Sequence, residues 1–301
     1  LAGVAQSILW EGLSPAPSLS GGGEALKGYG AIVALIQTLI QGTLTPQYLF
    51  DRSGTNLPTM LGFFSTVAIF LIVIYVEGVR VELPISYAGY RGYRGRYPIK
   101  LLYVSNLPVI FASALFANIY FISQLVWSNY NRNNMNPWLS LLGTYIIPTG
   151  QGSSPVPNGG LVYYVISPRS IPDLLKDPTR ALVYTGILVG FSIVFSLTWL
   201  EVGGLGPATV AKQLVDAGMQ IPGFRRSEKP IEQVLKRYIP TVTILGGALV
   251  GFIASVADFF GVFGTGMGVL LSVGILYQYY QLLVQERISE MYPALRRFFG
   301  G

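Results

Sequence analysis

The stretch LPISYAGYRGYRGRYPIKLLYVSNLPVIFASALFAN, residues 83–118, decides how the chain is read. It sets a compact, arginine-bearing hairpin between two long apolar runs, then places Asn118 deep inside the second run. An amide at that depth in lipid costs on the order of 1–3 kcal/mol without a partner. It must therefore bond across a helix pair or face a water-filled crevice. Such a stretch belongs to a membrane protein with a working interior.

Composition agrees. Of the 301 residues, 51% are hydrophobic and only 11% charged, where a soluble domain carries about 25% charged residues. Cysteine and histidine are both absent, which excludes disulfides, thiolate chemistry, c-type haem attachment and most zinc or imidazole mechanisms. There is no paired-carboxylate motif, no nucleophile beside a base and no Walker-type glycine loop, so an enzyme is not expected. No repeat that would build a solenoid or propeller is present.

A bilayer core about 30 Å thick needs roughly 20 apolar helical residues. Residues 59–76, 101–127, 181–200, 239–263 and 269–284 meet that requirement. Residues 1–10 read as the tail of a further span, with more chain expected before Leu1. The loop 80–100 holds Arg80, Arg91, Arg94, Arg96 and Lys100; the loop 201–238 holds Lys212, Arg225, Arg226, Lys229, Lys236 and Arg237. With Arg287, Arg296 and Arg297 of the tail 285–301, these are 14 of the 20 basic residues. The positive-inside rule puts all three segments, and the C-terminus, in the cytoplasm. Outside, 128–180 is expected to be a loop. Within it, 129–160 reads as a flexible excursion around PTGQGSSPVPNGG, and 171–176 as a short helix start. Segments 207–217 and 228–237 show helical spacing around the turn MQIPGFRR.

Each candidate site has a functional and a plain structural reading. The tip YRGYRGRYP offers guanidinium groups suited to phosphate among stacking aromatics, a pattern that fits RNA. The plain alternative is a topological anchor against anionic lipid. The turn at Pro222, Gly223, Phe224 and Arg225 offers arginines on the same side of the membrane, either as a joint docking surface or as a solvated face. Asn118 is either interhelical glue or a crevice-facing polar group. Asp258 has no titratable partner at membrane depth, and a hydrogen-bonded or snorkelling role fits it better than a proton relay. Gly247 and Gly251 form a GxxxG step for close helix packing.

The segments EGVRVELPISYAG, RYPIKLLYVSNLPVIFASALFAN, WLEVGGLGP, PGFRRSEKPIEQVLKRYIP and GTGMGVLLSVGILYQYYQLL together resemble, in order, the C-terminal half of the archaeal SecY family. The resemblance implies an all-α polytopic membrane bundle with five full transmembrane helices, the family's helices 6 to 10, preceded by the tail of helix 5. By the same resemblance Ile110 and Leu271 belong to an apolar pore ring, and Asn118 with Ile122 to a lateral gate. Arg91, Arg94, Arg96, Arg225 and Arg226 would lie in loops that face a ribosome. The function implied is passage of unfolded polypeptide across the membrane and lateral release of transmembrane segments into lipid. The partners implied are SecE, the small beta or SecG-type subunit, the ribosome, signal sequences, nascent polypeptides, membrane lipid and the missing N-terminal half of the channel. No cofactor or metal is implied. The plug, the other side of the gate and half the ring are not in this sequence. From the residues alone, half of a secondary transporter for a small solute remains an alternative, as does a structural membrane scaffold; the transporter would need polar groups converging at midplane.

Overall fold

A computed structural model of the chain describes residues 2–17, 27–43, 45–50, 52, 57–87, 94–104, 107–147, 155–168, 171–220 and 228–291. Among these, five helices are long and apolar enough to cross a membrane. They are α3 (Met60–Gly78), α4 (Leu107–Tyr130), α8 (Pro178–Val202), α10 (Glu228–Phe259) and α11 (Gly266–Met291). In lipid a helix satisfies its own backbone hydrogen bonds, which is why the long apolar runs fold this way. Shorter helices fill the connections: α1 (Ala2–Leu13), α2 (Ala31–Ile40), α5 (Pro137–Ser140), α6 (Leu161–Val165), α7 (Ile171–Lys176) and α9 (Pro207–Asp216). The membrane body is all-helical, as expected, and the strands lie outside it.

The closest packing is between α8 and α10. A side chain at Gly251 would meet Ser192 Oγ at 2.9 Å and Val189 Cα at 3.0 Å, and one at Gly247 would run into the Ser196 hydroxyl. The GxxxG step therefore does what its spacing predicts and brings two backbones together. α4 packs on α8 and also touches α10, and α3 packs on α11. One apolar core joins them, from Ile69 and Val73 of α3 through Val109, Ala112 and Phe116 of α4 to Leu188, Val250, Ala254, Leu270 and Val273.

A second core lies at one end of the bundle. Leu200 of α8, Val210, Ala211 and Leu214 of α9, and Ile231, Leu235, Ile239 and Val242 of α10 enclose Ile99. Ile99 belongs to β2 (Arg94–Lys100), which pairs antiparallel with β1 (Arg80–Tyr87). Packing against protein corrects two boundaries. The span expected from residue 101 begins at Leu107, because 101–104 is a turn whose Leu102 and Val104 are buried against protein. Their hydrophobicity serves a protein core, not lipid. The span expected at 239–263 is one helix from Glu228 to Phe259 that runs through Pro240. An interior proline costs about 3 kcal/mol of helix stability, but the flanking Ile239 and Val242 are locked in the second core and hold the helix continuous.

At the opposite end, residues 129–147 and 155–160 of the stretch expected to be a flexible excursion form a packed cap, and its centre, 148–154, lies outside the described residues. Strands β3 (Thr144–Ile146) and β4 (Val156–Gly159) pair, and Tyr145 is buried 5.1 Å from the Trp127 ring. Aromatic side chains that the sequence shows, packed as it does not, fix this cap. Asp177 caps α8: its carboxylate accepts hydrogen bonds from Thr179 Oγ1 (2.6 Å), Tyr163 OH (2.8 Å) and the Arg180 backbone N–H (3.3 Å). These bonds hold it below the usual carboxylate range. Asp258 is hydrogen-bonded, as its sequence setting suggested, accepting from Tyr184 OH (3.0 Å) and from Gly266 N–H (2.8 Å). The turn that follows it ties α3 and α1 to α11: Phe263 N–H donates to Thr66 Oγ1 (3.0 Å), and Gly264 N–H to Glu11 Oε2 (3.1 Å).

The α8–α10 crossing makes a direct prediction. Gly251→Val should destabilise the protein by about 1–3 kcal/mol, read as a lower melting temperature in detergent. Gly186→Val on α8, where an added Cβ meets nothing within 4 Å, should leave it nearly unchanged. Equal melting temperatures for the two variants would refute close packing at this crossing.

Candidate functional site

The first candidate surface is built on the β1–β2 hairpin. Its register pairs Arg80 with Lys100, Pro84 with Arg96 and Ser86 with Arg94. A third strand, β5 (Met219–Gln220), pairs antiparallel with β1, setting Gln220 against Ser86 and Met219 against Tyr87. The three strands form one sheet in the order β2-β1-β5. The two basic loops that the sequence placed on one side of the membrane are thus fastened together by backbone hydrogen bonds. Arg94 and Arg96 occupy alternate positions of β2. Arg91, Arg225 and Arg226 lie outside the described residues, in the segments 88–93 and 221–227 that β1 and β5 lead into.

The sheet is anchored to the bundle. Ile99 is buried in the second core, Lys100 Nζ donates to Gln281 Oε1 of α11 at 3.1 Å, and Tyr103 OH donates to the Leu205 carbonyl at 3.1 Å. Glu77, buried at the end of α3, lies within electrostatic reach of Lys100. The sheet and the turn that follows it are thus tied to α8, α10 and α11.

The second candidate surface concerns the apolar residues. Ile110 on α4 and Leu271 on α11 are each half-buried, beside the fully buried Val109 and Leu270. Both stand at the margin of the main core, on helices that each flank α10. Asn118 is exposed, and its amide makes no hydrogen bond among the described residues. Glue to another helix of this chain is thereby excluded for the described part. Phe121, Ile122 and Leu125 continue the exposed stripe with Asn118 along α4. A residue's absence from the core decides these positions, and only packing reveals it.

At the end away from the hairpin a cavity of about 530 Å³ opens between α4, α8 and the start of α11. Phe116, Ala117 and Tyr120 line it with Arg180, Tyr184, Asp258 and Met267. Arg180 is held at its rim, donating to the carbonyls of Tyr163 (2.9 Å) and Ile166 (3.1 Å) with its guanidinium 4.1 Å over the Tyr163 ring. Burial raises the Tyr163 hydroxyl above the ordinary range, and Asp177 adds to the shift. The sequence flagged Asp258 but gave no sign of a cavity, since its walls come from segments up to about 150 residues apart. Among the described residues no group of acidic side chains could hold a metal ion.

The chain is cysteine-free, so the shared sheet can be tested directly. Directly opposed residues in an antiparallel pair have Cα atoms about 4.5–5.5 Å apart, inside the range that a disulfide bridges. Ser86→Cys with Gln220→Cys should cross-link on mild oxidation, read as a mobility shift on a non-reducing gel. Glu82→Cys with Gln220→Cys, displaced by four residues and about 13 Å along β1, should not. Equal cross-linking of both pairs would contradict the register.

Comparisons with known proteins bear on the whole chain. The SecY family model matches residues 2–280. A protein translocase subunit SecY of Pyrococcus horikoshii is 43% identical over 304 residues, covering 100% of this chain and 61% of the relative. The same subunit of Pyrococcus furiosus is 43% identical over 303 residues, again covering 100% of this chain and 61% of the relative. The chain thus spans about three-fifths of the length of these relatives. Among solved structures, one described as the structure of a protein conducting channel aligns with TM-score 0.71 at 36% identity, covering 97% of this chain and 59% of that one. Sec61 in the canine ribosome-channel complex from the endoplasmic reticulum aligns with TM-score 0.66 at 34% identity, covering 97% of this chain and 59% of that one.

Proposed function

The chain belongs to the SecY family, and from that premise we propose that it forms one side of a protein-conducting channel. In this reading it passes unfolded polypeptide across the membrane and releases transmembrane segments sideways into lipid. The observation that carries the reading is similarity to translocase subunits along the entire chain. The placement of the candidate residues supports it.

Ile110 and Leu271 belong to the ring that closes around the moving chain. Branched aliphatic side chains seal without offering hydrogen bonds to a peptide backbone, and a dewetted constriction excludes ions. Their half-burial at the edge of the core leaves apolar surface for such contact. Asn118 and Ile122 form part of the lateral gate. An exposed amide in lipid-facing surroundings calls for a partner from another element or for water, and the gate's opposite side would supply it. The sheet that joins the two basic loops is the ribosome-docking surface, with Arg91, Arg94, Arg96, Arg225 and Arg226 meeting RNA phosphate. That end, with the C-terminus, is cytoplasmic by its excess of basic residues. SecE and the small beta or SecG-type subunit complete the assembly, as does the half of the channel that precedes this stretch in its relatives. Mechanically, docking on the sheet is transmitted through the second core to α8 and α10, and the gate helix α4 moves against them.

A photoreactive amino acid placed at Ile110 or Leu271 in the assembled translocase should capture a polypeptide arrested in transit. Capture of lipid alone at both positions would overturn the ring assignment. For the gate, Asn118→Leu should shift the open–closed balance by about 1 kcal/mol, changing roughly fivefold the insertion of weakly hydrophobic signals. Unchanged insertion of those signals would remove Asn118 from the gate.

A further inference from the structure

We propose that helix α2, with Phe50, lies in the surface of the bilayer leaflet opposite the basic hairpin and holds that end of the bundle against lipid. Residues 28–50 contain no Asp, Glu, Lys or Arg. A connection between two membrane segments is ordinarily polar because it runs through water. This one is not, and its helix reads AIVALIQTLI.

The helix is too short to cross. Its ten residues rise about 15 Å, half of a hydrocarbon core of about 30 Å. It has two distinct sides. Ala31, Ala34 and Thr38 are buried towards the bundle, where α2 packs on α1 and α3. Ile36, Leu39 and Ile40, at i, i+3 and i+4, form the other face, exposed by 50%, 55% and 81%. Phe50 adds a fourth exposed apolar side chain.

Gln37 and the charged groups that flank this face are turned away from it, and exposed polar residues, Gln41 and Thr43, come only after the last turn of the helix. Gln37 Oε1 accepts from the Gly28 N–H at 2.7 Å. Arg52 is 1% exposed, donating to the carbonyls of Tyr29 (2.8 Å), Gly28 (2.9 Å) and Pro58 (3.1 Å). Lys27 Nζ stands 4.7 Å over the Tyr48 ring. The two cations that flank the segment are thus engaged on its inner side, and the exposed face of α2 itself is left purely aliphatic. That chemistry suits acyl chains just beneath the headgroups, not a partner recognised by charge or hydrogen bonds. The face also adjoins α3, a membrane-spanning helix with exposed Phe64 and Leu71 of its own.

The test uses the complete translocase reconstituted in phosphatidylcholine vesicles. Single cysteines, Ile36→Cys, Ile40→Cys and the reference Thr45→Cys, are spin-labelled, and collisions with dissolved oxygen and with a water-soluble nickel chelate are compared. The oxygen-to-nickel ratio should be several-fold higher at positions 36 and 40 than at 45. A ratio equal to that at 45 would place the face in water, and exclusion of both reagents would place it under protein. Either result overturns the proposal.

Discussion

Where α8 and α10 cross, Gly247 and Gly251 lie against Ser192 and Ser196, and two helix backbones come closer than any other side chain would allow. The three-residue spacing between small groups matters because association in lipid gains nothing from hydrophobicity and must rely on close van der Waals contact. The rest of the architecture is arranged on this pair. α4 rests on α8, α11 follows α10 after a tight turn, and α3 packs against α11. α10 also outlasts the bilayer. Its 32 residues span about 48 Å, so its first turns leave the lipid and become part of a water-soluble core.

That second core is where the membrane bundle meets the sheet that joins the two basic loops. Ile99 enters it from the hairpin, Val210 and Leu214 from α9, and Leu235 and Ile239 from α10. The β1–β5 pairing then joins two loops that are more than 100 residues apart in sequence. A partner that grips either loop grips both, and through them the helices that border the candidate passage. The dense packing at this end contrasts with the exposed stripe on α4, where Asn118 has no partner among the described residues.

Much of the fold was legible because lipid imposes a length rule, and residues 59–76 and 181–200 fall within a few positions of α3 and α8. The hairpin was legible from its glycines and prolines. The start of α4 was not, because Leu102 and Val104 are as apolar in a protein core as they would be in lipid. The helical segments expected at 228–237 and 239–263 merge into one helix through Pro240, because packing on both sides of it keeps α10 continuous. The aromatic cap around Tyr145 and the inward-turned cations beside α2 gave no local signal, since both depend on neighbours distant in sequence. The arginines of the loops were identified by motif, yet the sheet that unites the loops follows from a two-residue strand too short to predict.

The sequence by itself determined the solvent, the number of crossings and the side that carries basic charge, because each is set by composition over a window of about 20 residues. Only the tertiary structure decided which apolar residues meet protein and which are left uncovered. Val109 and Ile110, or Leu270 and Leu271, are chemically near-identical neighbours, and a turn of about 100° per residue around the helix is what puts one in the core and the other at its margin.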